Sequence, residues 1–325
     1  MFRATDDGFV VEEIPAYRPC GEGEHLYLFI EKRGLSTPAL VSRLCERFGL
    51  HEREVGIAGR KDERGVTRQW VSAPAKKVDA ALVDALGVRV LESGLHRNKL
   101  RLGHLRGNAF TVALDGGGAV DDARVAAVAR GIPNEFGSQR FGRDDATLHE
   151  AERFVERRRP ARSRKEEFLV SSFQSALFNA WLFDRVEDGS WRTPLDGDVL
   201  EKTDNGAPFI CTEPLTDGAR AERGEVVVAG PLVGRAMRPA EREALTRESR
   251  SWSALGVDIH DVLAHPAFDK GARRPACLVP RDLFIDMRND GVSLRFSLPK
   301  GAYASVVLRA LYGPRLVDAA LLDAP

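Results

Sequence analysis

Two short stretches of this 325-residue chain hold the residue types that could do chemistry. The first, Gly56 to Trp70 (GIAGRKDERGVTRQW), sets the step Arg60-Lys61-Asp62 between a small apolar run and a turn at Gly65. A carboxylate beside two cations is held ionised with its pKa kept low, which is a seat for a nucleophile. On these residues alone a solvated turn is the better account of the pattern. The second stretch, Gly131 to Gly142 (GIPNEFGSQRFG), carries the amides Asn134 and Gln139, the rings Phe136 and Phe141, and Arg140. Amides read base edges, aromatic rings stack on splayed-out bases and arginine pairs with phosphate, so this stretch points to nucleic acid.

The elements that must position these stretches follow from periodicity. Phe9 to Ile14 predicts a strand carrying Val10, Val11 and Ile14, and His25 to Lys32 predicts a mostly apolar one with Tyr27, Phe29 and Ile30. Thr37-Pro38 opens a helix with an N-cap and a first-turn proline; Leu40, Val41, Leu44 and Phe48 share a face, and Gly49 ends it. This strand and helix deliver the chain to Asp62. Beyond it the pattern predicts a strand at Gln69 to Ser72, a short helix at Val78 to Leu86, strands at Val88 to Leu91 and Ala109 to Leu114, and a helix from Asp121 to Arg130.

After Asp145 the chain is expected to leave its first domain. An arginine-rich helix reaches Arg159 before Pro160, and Ser171 to Val186 predicts an amphipathic helix. A polar, glycine-rich region follows, with a strand at Glu225 to Ala229 and a charged helix at Pro239 to Ser249. In the tail, Val292, Leu294, Phe296 and Leu298 alternate as a half-buried strand, and Gly301 to Tyr312 turns into a helix.

Composition narrows the class. With 43% hydrophobic and 30% charged residues the chain is a soluble globular protein long enough for two domains. Its 48 basic and 48 acidic residues cancel, yet the basic ones cluster. His96 to Gly107 holds Arg97, Lys99, Arg101 and Arg106 and no acid; Arg153 to Lys165 holds seven cations against Glu156. Such clusters suit RNA phosphates, and for the second a solvated helix face fits as well. Cys20, Cys45, Cys211 and Cys277 are isolated, which suggests neither a zinc knuckle nor a disulfide framework and fits a reducing, cytoplasmic setting. His260 and His265 lack a convincing ligand spacing, so no metal is expected. There is no membrane-length apolar run and no signal-peptide core.

Taken together, the two stretches resemble the signatures of the pseudouridine synthase D (TruD) family, GxKDxxAxTxQ and NxFGxQRFG. The likeness continues through GFVVEE (Gly8 to Glu13), GEGEH (Gly21 to His25), KLRLGHLRGN (Lys99 to Asn108), SALFN (Ser175 to Asn179), GPLVG (Gly230 to Gly234) and LPKGAYASVVLR (Leu298 to Arg309), in family order over nearly the whole chain. The resemblance implies an α+β fold: a pseudouridine synthase-like catalytic domain from residues 1–150 and 278–325, with a largely antiparallel or mixed central sheet flanked by helices, and an inserted α/β TRUD domain at 151–277. It implies an isomerase acting on transfer RNA at uridine 13, with Asp62 as nucleophile or base. Phe9, Asn134, Phe136 and Tyr303 become pocket residues. Arg3 stands where the family has a lysine, Lys61 and Arg60 favour the ionised Asp62, and Arg140 pairs with a phosphate or buttresses its loop. Ser305 replaces a frequent threonine and Ala310 a usual glutamate.

The isomerisation breaks the N1–C1′ bond, rotates the base and joins C5 to C1′, after the base has left its stack. A carboxylate can assist by attacking C1′, by attacking C6, or by removing the C2′ proton. No redox or electron-sink cofactor is required, in keeping with the lack of a dinucleotide fingerprint or Walker loop. The competing readings are an RNA-binding module without chemistry, against which the Lys61-Asp62 step argues, a pseudouridine synthase acting on another RNA, and a phosphate-handling enzyme using the Gly21 to His25 loop, whose glycines lack the lysine and serine or threonine that cradle phosphate. Asp62 and Tyr303 are expected to share one cleft.

Overall fold

The structure, a computed structural model, describes residues 2–61, 63–115, 120–137, 140–253, 255–287, 291–313 and 316–317, without the side chains of 2–7, 143, 316 and 317. The chain forms two compact units: residues 1–130 with 279–325, and residues 131–278. In chain order the first unit holds β1 (Phe2–Pro15), β2 (His25–Arg33), α1 (Thr37–Phe48), β3 (Gly56–Ile57), β4 (Val66–Pro74), β5 (Arg89–His96), β6 (Leu105–Asp115) and α2 (Asp122–Arg130). The second holds β7 (Ile132–Pro133), α3 (Ala146–Glu156), α4 (Arg164–Glu187), β8 (Val199–Lys202), β9 (Pro208–Ile210), α5 (Pro214–Glu222), β10 (Val226–Leu232), α6 (Arg242–Ser253), α7 (Ile259–Ala264), β11 (Ala272–Pro275) and β12 (Cys277–Leu278). The chain then returns to the first unit with β13 (Arg281–Met287), β14 (Gly291–Pro299), α8 (Ala304–Tyr312) and β15 (Leu316–Val317).

The first unit is built on one sheet in the order β13-β14-β6-β1-β4-β2-β5, with β15 added to β1 and β3 to β4. β1 runs parallel to β4 and β15, and the remaining described pairs are antiparallel, so the sheet is the largely antiparallel, mixed one expected. Both ends of the chain build it. Leu40 and Leu44 of α1 pack against Leu28 and Ile30 of β2 and Val71 and Ala73 of β4, alternate positions that share one face of the sheet.

Two local expectations are corrected. Helix α1 is capped by Ser36, whose hydroxyl accepts from Ala39 N, and not by Thr37. The hydroxyl of Thr37 is engaged by Lys61 and Gln69 across the fold. The helix predicted at Val78 to Leu86 is two 3₁₀ turns, Ala80–Leu82 and Asp84–Leu86. Asp79 accepts from Ala81 N, Asp84 accepts from Val90 N, and Gly87 is left-handed at φ 76°, so local side-chain bonds win over helix propagation.

The second unit centres on α4, a 24-residue helix whose Leu169, Phe173, Leu177, Phe178, Trp181 and Arg185 are among its many buried positions. A four-stranded sheet of order β11-β10-β8-β9 and the pair β12-β7 complete it. The unit begins at Gly131 rather than after 150 because β7 pairs with β12 from its far end, Ile132 opposite Leu278. Inside it the Arg185 guanidinium meets both oxygens of Asp198, at 2.7 and 2.9 Å, and donates to the carbonyls of Ser190 and Thr193. Among the described residues no helix is long and apolar enough to cross a membrane.

Candidate active site

Asp62 lies outside the described residues; the frame that precedes it does not. Lys61 is buried, and its backbone is held on both sides. Its N–H donates to Thr37 Oγ1 at 2.7 Å, and its carbonyl accepts from Thr37 N at 3.1 Å and, more distantly, from the buried Lys32 ammonium at 3.5 Å. Thr37 Oγ1 lies 3.0 Å from that same carbonyl and 2.8 Å from Gln69 Oε1. A hydroxyl has one proton, so it serves one of these acceptors at a time. With the Gln69 amide turned over, Nε2, otherwise without a partner among the described residues, donates to the hydroxyl and leaves its proton for the Lys61 carbonyl.

The Lys61 side chain points inward. Its ammonium lies 3.3 Å from Glu13 Oε1, with side-chain exposures of 3% and 1%. Glu13 Oε2 accepts from Trp70 N at 2.9 Å. Burial pushes the Glu13 carboxyl above its ordinary value, and Lys61 and the Trp70 N–H pull it partly back. Gly59 leaves the space for this pair, since a Cβ there would meet Glu13 Oε1 at 3.0 Å and Lys61 Nζ at 3.2 Å. The Lys61 charge is therefore committed to an interior acid.

Strand register brings Phe9 to the same region. β1 pairs in parallel with β4 from Val10 opposite Val66, directly after the loop that contains Asp62. Gly65 at the end of that loop has φ 72°, and a Cβ on it would stand 2.5 Å from the Phe9 carbonyl oxygen. Phe9 is 3% exposed, with its ring tilted against Phe110 at 6.3 Å, and Phe110 stacks on Phe296 at 5.5 Å. Tyr303, also in the first unit, occupies the N-cap position of α8 and is 9% exposed. Arg3 pairs through its backbone with Val317 and Asp115; its side chain lies outside the described residues.

Asn134, Phe136 and Arg140 belong to the second unit. Asn134 donates through Nδ2 to Pro275 O at 2.8 Å, while its Oδ1 and its own carbonyl accept from Arg274 at 2.7 and 3.1 Å. The same guanidinium lies 4.1 Å from the Phe136 ring centroid, and Phe178 meets that ring edge-on at 5.6 Å. Asn179 receives the Phe136 N–H at 2.9 Å and returns a bond to its carbonyl at 3.0 Å. Arg140 donates to Ser175 and Ser171 on α4 and lies over the Phe136 and Phe168 rings, contacts that buttress the loop. Ser138 and Gln139 lie outside the described residues.

The sequence profile of the tRNA pseudouridine synthase D (TruD) family matches residues 1–163 and 161–311. The chain belongs to this family. A tRNA pseudouridine synthase D of Anaeromyxobacter dehalogenans is 45% identical over 319 residues, covering 95% of this chain and 91% of its own length. One from Thermus thermophilus is 37% identical over 323 residues, covering 97% and 89%. A crystal structure described as a tRNA pseudouridine synthase D from Methanosarcina mazei superposes with a TM-score of 0.72 at 21% identity, covering 97% of this chain and 93% of that one, which supports the fold.

Several residues of this family member were not singled out by sequence. Glu13, Thr37, Gln69, Arg274 and Asn179 hold the two motifs in place, yet only their pairing in space gives them that role. Gln69, Glu13 and Asn179 stand inside quoted family segments, which was the available signal. The arginine-rich run resolves toward its bland alternative: Arg158 pairs with Asp261, Arg159 with Glu166 and Lys165 with Glu150, while Arg153 bonds a helix carbonyl.

Proposed function

We propose that this family member, which isomerises a uridine of transfer RNA to pseudouridine, acts at position 13 in the cytoplasm and uses Asp62 as its carboxylate. The observation that carries the choice of Asp62 is the frame around Lys61, where Thr37, Lys32 and an inward Lys61–Glu13 pair fix the backbone of the preceding residue. A group that attacks or deprotonates one atom of a flipped nucleotide gains most from such a fixed origin. Phe9 and Tyr303 on the first unit are assigned to the extruded base, and Asn134 and Phe136 to binding of the substrate RNA. With Lys61 engaged by Glu13, the exposed Arg60 is the neighbour left to favour an ionised Asp62. Asp62 then attacks C1′ or C6, or takes the C2′ proton, and the N1–C1′ bond breaks; after rotation C5 bonds to C1′ and gives up its proton while N1 takes one up, leaving an isomer.

The test is carbodiimide labelling and primer extension on a transcribed transfer RNA carrying uridine 13, with wild type and Asp62→Asn in parallel. The expected result is a stop at that position for wild type alone. A stop at a different uridine overturns the position. Equal stops for both proteins overturn the role of Asp62, and none for either, with RNA still bound, favours a binding module.

A further inference from the structure

The basic segment between β5 and β6 is not used by the residues assigned above. It borders a recess of about 420 Å³ lined by Tyr17, His96, Asn98, Lys99, Arg101 and His104, all in the first unit; neither Phe9, Lys61 nor Tyr303 lines it. Its rings are ordered. Tyr17 stacks on His96 with centroids 4.9 Å apart and planes 19° apart, and its hydroxyl lies 2.6 Å from His104 Nδ1. The segment's backbone is pinned at several points: Asn98 O accepts from Tyr27 Oη at 2.8 Å, Leu100 N donates to Ser72 Oγ at 2.9 Å, and Gly103 N donates to Ala58 O at 2.8 Å. Among the described residues no carboxylate lines the recess. Lys99 is tethered to the Arg53 carbonyl, while the exposed Arg101 guanidinium has neither an ion pair nor a hydrogen bond among the described residues.

An ordered recess of this size, with rings, one amide and cations but no acid, suits an anion that also carries a flat ring. We propose that it holds a nucleotide of the substrate RNA other than the target uridine, the phosphate against Arg101 and Lys99 and the base against the rings of Tyr17, His96 and His104. This rests on the reading of the chain as acting on RNA. It contrasts with the run at 153–165, where several cations are neutralised by acids. The Arg101 charge is left for phosphate, and fixed rings lose little entropy when a base stacks on them.

The test is fluorescence anisotropy of a labelled tRNA transcript over a salt series, with wild type, Arg101→Gln, the double variant Arg101→Gln/Lys99→Gln, and Arg89→Gln as a control outside the recess. Loss of one phosphate contact weakens binding about three- to tenfold and lowers the slope of log affinity against log salt by about one. The double variant loses more and the control stays at wild type. Wild-type affinity and slope in Arg101→Gln, or an equal loss in Arg89→Gln, overturns the proposal. Uridine 5′-monophosphate is titrated alone; binding that saturates below the transcript's own range would mark a free-nucleotide site and overturn the RNA assignment. Because binding is read without turnover, a protein that shows the Arg101 loss but forms no pseudouridine keeps the recess and overturns the function. One that binds no RNA overturns both.

Discussion

Each unit fixes its signature motif with a buried cation, and the two cations work differently. In the first, Lys61 meets the buried carboxylate of Glu13, an ion pair that must offset its own desolvation. In the second, Arg274 donates to the Asn134 side-chain and backbone oxygens and lays its face on Phe136. A lysine is a point charge and needs one opposite charge; an arginine can satisfy two oxygens and a ring together. The frame beside Asp62 is therefore sensitive to pH and to loss of either partner. The frame around Asn134 is sensitive to shape.

The largest break in this comparison is expected from Lys61→Met, which strands Glu13 in the interior and costs about 3–5 kcal/mol near neutral pH. The deficit shrinks on acidification. A buried carboxyl without its cation has a native pKa well above the ordinary value of 4.5, so the folded protein binds the extra proton and stability falls as pH rises between the two values. Denaturant titration across pH checks this, and a deficit that does not change with pH would contradict it. Glu13→Gln added to Lys61→Met should restore part of the loss, since the stranded charge is gone.

Arg274→Lys sharpens the other side. It keeps the charge and loses the fork, so about 2 kcal/mol of stability and much of the reaction rate are expected to go. Thermal melting and single-turnover rates measure it.

Thr37→Val keeps shape and removes the hydroxyl that accepts from Lys61 N. Its expected cost is about 1–2 kcal/mol, with kcat falling more than KM rises, because the Asp62 frame loosens while the RNA surface stays. A change confined to KM would show that this frame does not position the carboxylate.

The smallest effect is expected on β8 of the second unit. Burial pushes Glu201 of β8 up to about 7, partly countered by Arg273. This contribution is present at acid pH and is lost as pH rises through that value, so Glu201→Gln should stabilise by about 1 kcal/mol near pH 8 and change little near pH 5, as denaturant midpoints would record.

Much of this could be read along the chain. The strands at His25 to Lys32 and Ala109 to Leu114, the alternating strand Val292 to Leu298, and helix α1 with its glycine stop follow local periodicity, and the structure has them. Elsewhere a partner distant in sequence intervened. Thr37 gave up its capping role to Ser36 because Lys61 and Gln69 claim its hydroxyl. The second unit begins at Gly131 because β12, at residues 277–278, pairs with β7. Lys61, read as a neighbour helping Asp62, has its ammonium on Glu13.

The sequence by itself determined the period of most elements and the family, because these depend on residue type and spacing over a few positions. Only the tertiary structure decided which charges are paired with acids and which remain for RNA. Arg101 and Arg158 look alike in the chain, yet one faces an acid-free recess and the other meets Asp261 from 103 residues away. A charge is neutralised by what lies within a few ångströms of it, and folding sets that neighbourhood without regard to sequence separation.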